Sequence, residues 1–365
     1  MARGSEAQLP AGRKWTPQVS VSEAESRLRH SDVVGVVAEG RRGLGSYNSV
    51  PWGKANTQTR RKMVVHEIRK AEEETRRVRA SGMKAQGDWL NWSSVESRAI
   101  SAGDLFKSPD VSLSFFLRSI SDTLPTPLNL HIWKKTEDPF CALCKSQAAS
   151  LRHILACCKV ALSEHRYTWR HNQVLKEIVN CVTELKSVAS RSTPTKEITF
   201  VKEGNHKPQS ASKSQHPKNI GILNSATDWN VQADIGKQLS IPRHIVQTNL
   251  RPDIVLTSES TKCMVLIELT VPWEDRIDES NELKRAKYEN ILLEARLKGW
   301  TTYCYPVEVG CRGFVGRSTT RMFKDLGMQG RDIKKSCLSI SNEAERCSRW
   351  LWLRRDCAWL PQKKN

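Results

Sequence analysis

Two apolar, β-branched runs, residues 251–257 and 264–271, flank the polar, turn-prone Ser258-Glu259-Ser260-Thr261, and this pattern constrains the chain more than any other: it predicts a β-hairpin. With the turn centred between Ser260 and Thr261, Asp253 and Glu268 lie equally far from the centre and therefore directly opposite each other. Paired residues project to one face, with Cβ atoms about 4.5–5.5 Å apart. Ile254, Leu256, Ile267 and Leu269 take the other face and can bury against a helix. Two carboxylates that close can hold one divalent cation, and hard oxygen ligands suit Mg²⁺ or Mn²⁺, which activate water and neutralise charge on a phosphodiester.

The segment 274–298 then predicts a helix ending at Gly299. Ile277, Asn281, Lys284, Tyr288, Ile291 and Ala295 recur at three- and four-residue steps and form one stripe. Either Lys284, on that stripe, or Lys287 beside it can reach back over the hairpin to a phosphate. Residues 301–309 read as a further strand.

A second constellation lies upstream. Cys141-x2-Cys144 is followed by His153 after eight intervening residues and by Cys158 after four more, a compact Cys-Cys-His-Cys set of the kind that tetrahedral zinc accepts. Cys157 competes for the fourth position, and the four-residue interval after the histidine favours Cys158. Leu151, Ile154 and Leu155 give the ligand segment an apolar side. Arg166-Tyr167-Thr168-Trp169-Arg170-His171-Asn172 interleaves basic and aromatic residues. Arg166, Arg170 and His171 are candidate phosphate contacts, and a helix packing Tyr167 and Trp169 onto the knuckle accounts for the pattern equally well.

Charge points the same way as these sites. Among 365 residues, 58 Lys and Arg against 39 Asp and Glu give a net +19, which favours a polyanionic partner, nucleic acid first and an anionic membrane surface second. No apolar run of about 18 residues is present to span a bilayer, and no signal-peptide core follows the polar opening. The expected location is nuclear, less so cytoplasmic. In such a reducing compartment, eleven cysteines with four of them between Cys141 and Cys158 suggest metal rather than disulfides.

Elsewhere the signals are plainer. Residues 1–20 lack periodicity and are expected to be disordered. A helix is expected at 22–35, and Gly40-Arg41-Arg42-Gly43-Leu44-Gly45 lacks the ending of a phosphate-binding loop and reads as a turn. Residues 59–81 form a charged helix with a thin seam of Met63, Val64, Ile68, Ala71 and Val78. Trp89, Trp92, Leu105, Phe106, Phe115, Phe116, Leu117 and Ile120 supply a core for a small helical unit. From 187 to 219 the composition is that of a basic linker, with one short strand at 198–201. Asp234 is a candidate accessory acid, and Trp350 and Trp352 read as core.

The order strand with Asp253, strand with Glu268, helix with Lys284, strand resembles the core of restriction-endonuclease-like nucleases. More closely, Arg251-Pro252-Asp253, the run Glu268-Leu269-Thr270-Val271-Pro272-Trp273-Glu274-Asp275-Arg276, Lys284-Arg285-Ala286-Lys287-Tyr288 and the run Pro306-Val307-Glu308-Val309-Gly310-Cys311-Arg312-Gly313-Phe314 resemble the C-terminal endonuclease of site-specific non-LTR retrotransposons. The Cys-Cys-His-Cys segment with Trp169-Arg170-His171-Asn172 resembles the zinc-binding segment preceding that nuclease. The lysine that the broad nuclease pattern places two residues after the second acid is Thr270 here, so its role moves to Lys284 or Lys287.

The resemblance implies an α+β chain: a helical segment at 21–135, a zinc knuckle with its flanking helix at 136–183, a basic linker at 184–222, and a restriction-endonuclease-like α/β domain with a mixed central sheet at 223–360. It implies a Mg²⁺- or Mn²⁺-dependent DNA endonuclease that cleaves a target site to prime reverse transcription. Asp253 and Glu268 would bind the metal, Lys284 or Lys287 would serve the chemistry, and Arg251 would hold a phosphate. DNA is the expected partner, with the element's own RNA as a second. No Asp-Asp pair or polymerase palm is present, so the reverse transcriptase is expected to be absent from this chain. The alternative is a non-catalytic, zinc-containing nucleic-acid-binding remnant.

Overall fold

The computed structural model describes residues 54–83, 85–98, 100, 102–145, 148–191, 221–236 and 239–359. The expected disorder at 1–20, the helix at 22–35, the glycine-rich turn and most of the linker with its strand lie outside them. Contacts divide the chain into two compact units, Met1–Gly87 and Asp88–Asn365.

The described part of the first unit is mainly helix α1, Thr57–Ser81. The Asn56 side chain caps it by accepting the Thr59 N–H at 2.8 Å, satisfying one of the orphan donors of the first turn. Along the expected seam Met63 is buried, Val64 and Ile68 are half-buried, and Ala71 and Val78 are exposed. So narrow an apolar stripe leaves most of this helix solvated.

The second unit is a mixed α+β fold. Its helices are α2 (Ala102–Lys107), α3 (Asp110–Ile120), α4 (Pro127–Ile132), α5 (Lys159–Ser163), α6 (Arg166–Arg191), α7 (Ile277–Leu297), α8 (Arg317–Leu326) and α9 (Gly330–Leu353). Its strands are β1 (Asn230–Ala233), β2 (Ile254–Ser258), β3 (Cys263–Thr270) and β4 (Thr301–Glu308), in spatial order β1-β2-β3-β4. The first two pairings are antiparallel and β3–β4 is parallel. Ile254 pairs with Ile267 and Leu256 with Val265. That is the register expected from the hairpin, and one further residue along it brings Asp253 opposite Glu268.

Every residue of β2 and all but the last of β3 are buried, most of them apolar, so both faces of the sheet are covered, as in a central strand packed on two sides. Ile254, Leu256, Ile267 and Leu269 pack with Val174, Leu175 and Ile178 of α6, Phe323 of α8, and Ile340 and Ala344 of α9. Val255, Met264 and Leu266 pack instead with Tyr288, Ile291, Leu292 and Ala295 of α7. Each Val, Leu, Ile, Met or Phe among them, fully buried, contributes about 1.5–3 kcal/mol. Gly299, at φ +81°, supplies the left-handed residue just past α7 that returns the chain to β4.

Contacts join segments that lie far apart in the chain. Trp92 and Phe116 pack on Phe314, with ring centroids 4.9 and 6.0 Å away. The Arg312 guanidinium lies 4.2 Å from the Trp92 ring and 3.8 Å from Trp273, and donates to Glu274 at 2.6 Å. Trp92 and Phe116 thus find a core partner in the turn after β4, while Phe115 buries with the segment that carries Cys141 and Cys158. Leu105, Phe106 and Leu117, expected in a separate helical core, are exposed. Helix α6 continues to Arg191, through residues whose composition suggested linker, and its apolar face lies on the sheet. Among the described residues no helix is long and apolar enough to cross a membrane.

Candidate metal centre and candidate active site

Cys141, Cys144, His153 and Cys158 converge, with their ligand atoms all within 4.8 Å of one another. A tight turn, closed by Lys145 N–H to Cys141 O at 2.9 Å, brings the first two together. One π-helical turn, His153–Cys157, carries the histidine toward them. Cys141 Sγ lies 3.9 Å from Cys158 Sγ, and Cys144 Sγ lies 3.4 Å from His153 Nε2. Zinc at its usual bond lengths needs such atoms roughly 3.4–3.8 Å apart at tetrahedral corners, so the four can hold a zinc ion. Cys157 is exposed and outside the cluster, which leaves Cys158 as the fourth ligand. Burial pushes the Cys158 thiol up to about 11, a cost that a bound divalent cation reverses by favouring thiolate. Leu151, Ile154 and Leu155 bury with Phe115, Trp273, Leu351 and Trp352, so the knuckle shares a core with the sheet domain.

At the far end of the hairpin from its turn, four segments meet. Glu268, 3% exposed, accepts at Oε1 from Lys284 Nζ at 2.6 Å and Lys287 Nζ at 3.2 Å. Its Oε2 accepts from the Tyr288 hydroxyl at 2.8 Å and from the Asp253 backbone N–H at 3.1 Å. Lys284, Lys287 and Tyr288 come together because the α7 stripe faces the sheet, and the two ammoniums offset a carboxylate that would be costly to bury alone. Burial, then the Glu268 charge, hold the Tyr288 hydroxyl firmly protonated. Asp253 Oδ2 accepts the Leu269 N–H at 2.7 Å and lies 3.3 Å from His171 Nε2.

The basic residues after the knuckle divide into two roles. Arg166 and Arg170, expected at phosphates, are each 2% exposed. Arg166 donates to the carbonyls of Arg354 and Cys357 at 2.9 and 2.8 Å and pairs with Glu164. Arg170 donates to Leu155 O at 2.9 Å, Ser348 Oγ at 3.1 Å and Val271 O at 3.2 Å. A guanidinium's planar fork of donors suits carbonyls at element ends, and here it bonds knuckle, sheet and α9 together instead of facing solvent. Tyr167 adds a clamp, its hydroxyl donating toward His153 O and Ile154 O. His171 turns to Asp253. Burial works to lower its pKa, but the hydrogen bond and charge of Asp253 outweigh that and raise it. Of Arg166, Arg170, His171 and Arg251, only Arg251 is exposed, two residues before Asp253.

Sequence reading left Tyr288 without a role, although its position one turn after Lys284 on the stripe carried the signal. Glu308 also went unassigned. It is buried and accepts from Asn281 Nδ2 at 3.0 Å and from the Ser318 hydroxyl, and burial raises its carboxyl pKa. Asp234 accepts the Leu239 N–H at 3.1 Å. Compared with models of known protein families and with curated proteins, the chain matches none.

Proposed function

We propose that the chain is a metal-dependent DNA endonuclease of the restriction-like kind carried by site-specific non-LTR retrotransposons, with a zinc knuckle built into the same unit. One observation carries this reading: Asp253 just before β2, Glu268 of β3, and Lys284 and Lys287 of α7 meet at one end of the hairpin. The +19 charge supports a polyanionic substrate, and DNA, with the element's RNA second, is the partner it fits. A nuclear location goes with that partner.

The residues fit a hard divalent cation, Mg²⁺ or Mn²⁺. Asp253 Oδ1 has no hydrogen-bond donor among the described residues, and Glu268 Oε1 is held by part-exposed lysines whose flexible stems can release it. Bound there, the cation supplies phosphate polarisation and a hydroxide near neutral pH. Lys284, the closer ammonium, offsets charge on the scissile phosphate as it moves off Glu268. Lys287 and the exposed Arg251 hold neighbouring backbone phosphates. Tyr288 keeps Glu268 oriented while the lysines exchange partners. The absence of a lysine at Thr270 is made good by these two amines, which reach the second acid from α7.

A plasmid-nicking assay tests this. Wild type should nick supercoiled DNA with Mg²⁺, and Asp253→Ala should not, while its DNA affinity stays unchanged or tightens slightly. Equal nicking by both proteins would sink the assignment, and binding without nicking by wild type would favour the non-catalytic remnant.

A further inference from the structure

The histidine after the knuckle has a more specific place than a phosphate contact. His171 Nε2 lies between two oxygens, Asp253 Oδ2 at 3.3 Å and Leu269 O at 3.2 Å. A carbonyl cannot donate and an ionised carboxylate can only accept, so Nε2 carries the hydrogen and donates to both. The ring cannot easily turn away, since Nδ1 is engaged by the Asn172 side chain at 3.1 Å. The next residue back, Arg170, bridges Leu155 O in the knuckle and Val271 O just past β3. This turn of α6 is therefore fixed to both sides before His171 reaches Asp253.

The consequence falls on one carboxylate. With His171 and the Leu269 N–H both at Oδ2, the Asp253 side chain has one oxygen held and Oδ1 left as the one for a cation. On the proposed endonuclease reading, we propose that His171 is a positioning residue that locks Asp253 through Oδ2 and so presets Oδ1 as its metal-binding oxygen. A cation that demands near-ideal octahedral geometry gains affinity from a ligand oxygen already fixed in place. Partners that hold a metal ligand from behind typically change metal affinity by about 10–100-fold when removed.

The test is Mn²⁺ binding to the full-length, zinc-loaded protein, read by electron paramagnetic resonance, for wild type, Asp253→Ala, His171→Ala and His171→Gln, with zinc content and thermal melting measured on each. His171→Ala should weaken Mn²⁺ binding by about tenfold or more. His171→Gln should restore most of it, because the glutamine Nε2–H₂ lies near the imidazole Nε2–H and can donate to the same two oxygens. Unchanged or tighter binding in His171→Ala overturns the inference, the latter by showing that the ring only repelled the cation. Equal weakening in both variants also overturns it. Should His171→Ala fail to fold, the glutamine variant decides alone: near-wild-type affinity supports the role and a tenfold loss refutes it. The Asp253→Ala arm separates the two levels. Loss of Mn²⁺ there with no effect at His171 sinks only this inference, whereas Mn²⁺ binding unaffected by Asp253→Ala sinks the acid-pair assignment beneath it.

Discussion

The Cys-Cys-His-Cys cluster and the Asp253–Glu268 cluster are both polar constellations set into apolar surroundings, yet they are built in opposite ways. The first draws soft sulfur and nitrogen donors from one short stretch of chain, and two local turns suffice to gather them. The second draws oxygens and amines from α6, the start of β2, β3 and α7, and only the packed sheet brings them together. Protein donors already answer the charge of the acid cluster, two lysines and a tyrosine on Glu268 and a histidine on Asp253, so that fold can stand without a cation. At the Cys-Cys-His-Cys cluster, burial works against the Cys158 thiolate that a metal requires, and a bound cation supplies the compensating charge. A small ligand loop draws its folding energy from metal, whereas a site on a central sheet draws it from burial.

The largest expected effect would break this contrast at the knuckle. Cys144→Ser, or removal of zinc by a chelator, should release one zinc per chain and loosen residues 139–158. Structural zinc contributes on the order of 10 kcal/mol to small isolated knuckles. Elemental analysis of the purified, unchelated protein, followed by melting, checks it, and protein isolated without zinc and equally stable would remove the distinction. Because Arg170 and Tyr167 tie this loop to α6, zinc loss should also depress nicking, which a module on a free linker would not do.

Arg170→Ala comes next and tests whether the knuckle is joined to the sheet by a buried arginine. Three hydrogen bonds from a buried cation disappear and two carbonyls lose a donor, so a loss of about 3 kcal/mol is expected. Denaturant unfolding measures it. The salt dependence of DNA binding should keep its slope, since the side chain is not at the surface, whereas Arg251→Ala should lower that slope by about one phosphate contact. A lowered slope with unchanged stability in Arg170→Ala would return that residue to the interface.

A smaller effect concerns Glu308, which unlike Glu268 has no ammonium within hydrogen-bonding distance among the described residues. Burial raises its folded-state pKa, so the folded chain binds its proton more tightly than the unfolded chain does. Stability from that proton is present below the unfolded value and is lost as pH rises through the folded one. Glu308→Gln should therefore match wild type near pH 4 and be the more stable at pH 7, by less than the Arg170 effect. Unfolding curves at the two pH values decide it, and a variant less stable at pH 7 would mean the ionised form is favoured after all. Smallest of all is Cys157→Ser, expected to leave zinc content unchanged and to shift stability by under about 0.5 kcal/mol, because the thiol is exposed and outside the ligand set. Loss of zinc in this variant would reassign the fourth ligand.

Several features were legible in the chain because they depend on neighbours in sequence. The ligand spacing from Cys141 to Cys158 is local, and so is the symmetry of the hairpin about Ser260 and Thr261, which fixed the register that sets Asp253 against Glu268. The stripe from Ile277 to Ala295 likewise followed from helical period alone, and it carried Lys284 and Tyr288 to the sheet. What composition could not tell is whether a basic residue faces water or a carbonyl. Arg166 and Arg170 read as surface charge, and tertiary packing turned both inward because the ends of α9, β3 and the knuckle all offered unpaired oxygens at guanidinium reach. Composition also suggested a linker where α6 continues, since a helix's apolar face acquires meaning only when a sheet lies under it. The contact between His171 and Asp253, 82 residues apart, belongs to the same class. Local spacing determines which groups share a turn or a face, and only the close packing of distant segments decides which of them share a site.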